Sequence, residues 1–122
     1  MKSHFRTQLQ AAPVGRRNGR TTWRLLMPLH FWHAPVSEQI TAPAGFVTDF
    51  ASIPRLPLVW WIMSDYGHPA AVIHDYLCES RSHPRKFADE VFHAALIACR
   101  VPRWRASLMY TAVRSYAIAR RL

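Results

Sequence analysis

The chain has 122 residues, half of them hydrophobic and 19% charged, so it is expected to form one domain around one core and not a disordered tail. Two cysteines are too few for a disulfide scaffold, and the longest apolar run, eight residues from Leu56 to Met63, is far short of the ~20 that a spanning helix needs. The formal net charge of +9 is unevenly spread: residues 1–37 and 91–122 each hold six basic residues and no acid, while residues 38–90 hold four bases and all seven acids. Fourteen of the sixteen cations are Arg, the residue suited to bidentate contact with phosphate or carboxylate.

In chain order, the first twelve residues are polar and have no apolar core behind Lys2, so no signal peptide is expected. Asn18-Gly19 is a hairpin signal and leads into Thr21 to Trp23 and Leu25 to Met27. Leu29 to His33 reads as a second, aromatic-rich strand, and Pro43-Ala44-Gly45 as a turn before Phe46 and Val47. From about Pro69 the pattern becomes helical. Pro69, Pro84 and Pro102 each suit a first helical turn and predict helices over about 69–80, 84–99 and 102–120. The short links between them predict antiparallel neighbours. The expected fold is α+β: a β-rich N-terminal part, about residues 1–66, packed on a helical C-terminal part, about residues 67–122.

The chemistry-bearing residues lie on the first helical hairpin. His74 and Asp89 are almost equidistant from a turn near residues 81–82, and so stand at about the same height on adjacent helices. Asp89 shares an i, i+3, i+7 stripe with Phe92 and Leu96, where a carboxylate needs a partner. Two readings are open: a dyad with His74 as general base oriented by Asp89, or a satisfied pair that locks two helices. Asp75 falls ~100° away round the helix and is a candidate cation ligand. Asp49 is either a second oxygen ligand or, with Thr48 and Ser52, a cap for a short helix opened by Pro54.

Other features are weaker. Cys78, one turn after His74, reads as a nucleophile or as core packing, and a Cys78–Cys99 bridge is excluded because the hairpin separates them by ~20 Å. His93, at i+4 from Asp89, joins the pair or faces solvent. Arg103, Arg114 and Arg121, with Arg100 nearby, form a basic stripe for lipid phosphates, nucleic acid or an acidic protein, or a solvated face. Trp60-Trp61 with Ile62 and Met63 is an interfacial anchor or core.

Gly45-Phe-Val-Thr-Asp-Phe-Ala-Ser-Ile-Pro-Arg55, Ala70-Ala-Val-Ile-His-Asp-Tyr-Leu77 and Ala88-Asp89 with Phe92 resemble domain of unknown function 1353, a small family of bacteriophages, prophages and bacteria. The His-Asp helix is also similar to that of the secreted type A₂ phospholipases, whose His is the general base, whose adjacent Asp binds calcium and whose distant Asp orients the His. Carried over, these roles fall on His74, Asp75 and Asp89. Cys78 departs from the tyrosine usual in both families, and the lipases' framework disulfides and calcium loop are missing.

The resemblances imply a metal-assisted esterase or phospholipase A₂-like hydrolase. It would have His74 and Asp89 as the dyad, Ca²⁺ or another divalent cation at Asp75 and Asp49, and a phospholipid or other anionic surface against the arginines. The alternative is a non-enzymatic phage tail or virion-assembly protein that uses the pair structurally, with virion proteins as partners; nucleic acid remains open as a ligand. A metal phosphohydrolase of the HD type would need further histidines on neighbouring helices. The expected location is the bacterial cytoplasm or the virion.

Overall fold

The computed structural model describes residues 2–50 and 67–122. The N-terminal part begins with β1 (His4–Phe5), β2 (Ala11–Arg17), β3 (Arg20–Leu25) and β4 (Leu29–His33). A single 3₁₀ turn (Ala34–Val36), β5 (Glu38–Ala42) and β6 (Val47–Thr48) follow. The strands form two antiparallel three-stranded sheets, ordered β1-β4-β5 and β2-β3-β6. Helices α1 (His68–Ser80), α2 (Arg85–Ala98) and α3 (Arg103–Ala119) complete the α+β fold expected from the sequence.

Local chemistry explains these boundaries. Asn18 and Gly19 both take positive φ, 51° and 78°, which a two-residue type I′ hairpin requires, and they join β2 to β3. In β4, Leu29, Phe31 and His33 alternate inward, and Ile40 and Ala42 of β5 meet them on the same face. β2 was hidden in the sequence by Pro13 and Gly15, residues unusual in a strand. It tolerates them as an edge strand with a register shift between these two positions. Pro84 and Pro102 are N-caps, with extended ψ of 151° and 143°, so α2 and α3 start one residue later than expected. α1 ends on Arg81 in the left-handed region, its N–H donating to the Leu77 carbonyl.

The core joins the first sheet to all three helices. Phe31, Ile40 and Ala42 pack with Ile73 and Leu77 of α1, Val91, Phe92 and Leu96 of α2, and Met109 and Val113 of α3. Fully buried alanines, Ala88 and Ala95 on α2 and Ala106 on α3, let these helices pack closely. The Trp60-Trp61 segment, Ser52 and Pro54 lie outside the described residues. No helix among the described residues is long and apolar enough to cross a membrane.

Candidate functional site

The helical hairpin brings His74 and Asp89 together. Nε2 of His74 lies 2.6 Å from Oδ1 of Asp89, and neither residue has any solvent exposure. Two cations converge on the same carboxylate. Arg85, one turn before Asp89 on α2, donates from Nε to Oδ1 at 3.2 Å, and Arg114 of α3 donates from Nη1 to Oδ2 at 2.7 Å. One carboxylate therefore ties all three helices. The i, i+4 spacing of Arg85 and Asp89 was a legible signal for the first arginine. Arg114 had none, because only the packing of α3 on α2 brings it near, and its guanidinium is thereby taken out of the expected surface stripe. Arg100, Arg103 and Arg121 remain exposed, with Arg100 and Arg121 in left-handed turns beyond their helices.

Electrostatics fix the protonation states. Burial lowers the pKa of His74, and the opposing pull of Asp89 does not offset it. Burial alone would raise Asp89, but hydrogen bonds from His74, Arg114 and Arg85 hold it below its ordinary value. The pair is thus a neutral imidazole whose Nε2–H donates to an ionised carboxylate. Phe92 packs on the imidazole with ring centres 4.9 Å apart. The Cys78 sulfur lies 3.7 Å from Nε2, and burial pushes its thiol up to about 12, so it is protonated at neutral pH and a poor nucleophile. Cys78 and Cys99 are both free thiols. His93 stays apart from the pair, 3.4 Å from the Ser107 hydroxyl and beside Tyr110.

Asp75 and Asp49 lie toward the second sheet. Thr48 of β6 donates its hydroxyl to Oδ2 of Asp75 at 2.5 Å and accepts the Phe50 N–H at 3.0 Å. Oδ2 of Asp49 pairs with Nε of Arg17 at 3.4 Å. Among the described residues no group of three or more His, Cys, Asp or Glu side chains is placed to hold a metal ion.

Sequence reasoning did not find the cleft that opens beside Thr48 and Asp49. It has a volume of about 560 Å³, with apolar walls from Leu9, Trp23, Phe50 and Val72 and polar groups from Arg20, Thr21, Asp49 and His68. These residues come from β3, from the segments before β2 and after β6, and from α1, and no periodicity links them. His68 and Val72 face the cleft from α1, and His74 lies about 200° round the helix from Val72. One helix thus presents the cleft on one side and the buried His74–Asp89 network on the other. Phe50, on the cleft wall, holds a left-handed φ of 61°, a strained backbone for a bulky residue.

A family model described as a protein of unknown function (DUF1353) matches residues 23–113, which include the end of β3, β4 to β6, His74, Arg85 and Asp89. The chain is also 38% identical over 81 residues to the uncharacterized protein y4jT of Sinorhizobium fredii (strain NBRC 101917 / NGR234). That match covers 61% of this chain and 23% of y4jT, so the chain spans about a quarter of its relative. No solved structure is significantly similar to it. With most of its length matched by the family model, from within β3 into α3, the chain belongs to the DUF1353 family.

Proposed function

We propose that this domain is a non-catalytic binding module, in which the His74–Asp89 pair is structural and the cleft beside β3 is the working surface. The observation that carries this reading is the Asp89 carboxylate, buried and already receiving two guanidiniums besides His74. A general base must accept a proton, and an imidazolium here would be a third cation around one carboxylate in a site without water contact. The pair also faces away from the cleft. A phage tail or virion-assembly component is one form such a module takes.

Metal-assisted ester hydrolysis is the second reading, and one observation favours it. Bonding of Asp89 to Nε2 is the geometry that orients a histidine base. In that reading Asp75 and Asp49 hold Ca²⁺ or another divalent cation, which would polarise the ester carbonyl of a phospholipid. Arg100, Arg103 and Arg121 then contact the anionic surface.

One experiment separates the two. Phospholipid vesicles are incubated with the protein, with calcium or with chelator, and fatty-acid release is compared for the wild type and His74→Gln. The binding-module reading expects no metal-dependent release from either protein, with a lowered melting temperature for His74→Gln. Metal-dependent release that His74→Gln abolishes while its circular dichroism stays native overturns it.

A further inference from the structure

We propose that the cleft takes a nucleotide unit, an unpaired base with its phosphate, of the kind a single-stranded nucleic acid presents; this rests on reading the domain as a binding module. The volume of about 560 Å³ falls within the ~300–1,000 Å³ usual for small-molecule sites, and Trp23 and Phe50 supply aromatic surface for a flat ring. Thr21, Asp49 and His68 put hydrogen-bonding groups into the same cleft, where a base edge can meet a hydroxyl, a carboxylate and an imidazole.

The charge around the cleft selects the class of ligand. The β2–β3 hairpin carries Arg16, Arg17, Arg20 and Arg24 and no acidic residue. Arg20 lines the cleft, and Arg17 reaches Asp49 on its wall. Arg16 stands directly opposite Thr21 in the hairpin register, so it belongs to the face of the ribbon that borders the cleft. Each guanidinium has five N–H donors, so contacts such as Arg16 to the Gly19 carbonyl and Arg20 to the Phe50 carbonyl leave donors for phosphate oxygens. A neutral sugar would use the aromatic wall but not Arg20 and the cations bordering the cleft. A lipid bilayer would use the cations but presents no separate flat ring to a concave aromatic wall. A base in a duplex is stacked and paired, and cannot enter.

Fluorescence anisotropy with a labelled single-stranded dodecamer, and with the same strand annealed into a duplex, tests the proposal at several salt concentrations. The expected result is single-strand binding at least about tenfold tighter than duplex binding, weakened about tenfold in Trp23→Ala. Arg20→Gln should lower the salt slope by about 0.7, the value for one single-strand phosphate contact. Arg121→Gln removes the same charge from a residue that does not line the cleft and should leave affinity within about twofold. Arg20→Gln keeps the test alive if Trp23→Ala does not fold. Displacement by adenosine monophosphate supports a free nucleotide as the source of the unit, and tight strand binding without displacement supports the strand. Equal affinity for single strand and duplex, equal losses in Arg20→Gln and Arg121→Gln, or binding only to anionic vesicles overturns the proposal. None of these outcomes involves His74, so failure here is distinct from the metal-dependent hydrolysis that would overturn the binding-module reading.

Discussion

Asp89 is the residue on which the helical part depends most. Its two oxygens receive an imidazole and two guanidiniums, all held in place by the surrounding helices. Removing it leaves Arg85 and Arg114, each less than one-fifth exposed, and the His74 imidazole without the carboxylate they share. Breaking a buried ion pair by deleting one partner costs about 3–5 kcal/mol. Asp89→Ala is therefore expected to lower the urea unfolding free energy by about that amount, while Asp89→Asn, which keeps an acceptor oxygen, should lose less. A cost below about 1 kcal/mol for Asp89→Ala would show that the network is incidental to stability.

At the scale of elements, the α1–α2 turn carries a removable cost. Arg81 caps α1 with φ 54°, a conformation that glycine adopts without a steric penalty, and its side chain is exposed. Arg81→Gly should raise the unfolding free energy by up to about 1 kcal/mol, read as a higher urea midpoint with an unchanged m-value. The sequence was legible wherever local chemistry decided the outcome. Asn18-Gly19 dictated the hairpin, three prolines marked the helix starts, and the spacing about the turn put His74 level with Asp89. It was opaque where distant packing decided. β5 has Ile40 as its only large apolar residue, and β1 is a two-residue strand that exists only through its pairing with β4. The cleft joins Leu9 to Val72 across about half of the chain, a relation that no local pattern records. Asp75 illustrates the same limit. Its position round the helix was predictable, but the Thr48 hydroxyl that occupies it comes from a strand 27 residues away.

For the molecule as a whole, titration sets a direction for stability. His33, His74 and His93 all have pKa values pushed by burial below the ordinary 6.5. As pH falls below 6.5 the unfolded chain binds protons that the folded chain refuses, so stability is greatest above that value and declines on acidification. Asp89, held below its ordinary 3.8, adds a second loss as pH falls through its folded pKa. Denaturation at pH 7 and pH 5 should show a less stable protein at pH 5, and His74→Gln should reduce that difference, leaving the part due to His33 and His93. A stability independent of pH across this range would contradict the neutral state assigned to His74. The two thiols have a different consequence. Burial pushes Cys78 and Cys99 up to about 12 and 11, so both are protonated and slow to react while α1 and α2 stay packed. Both are partly exposed, and a parting of the helices returns each thiol to its ordinary acidity, so alkylation should quicken as the helices part.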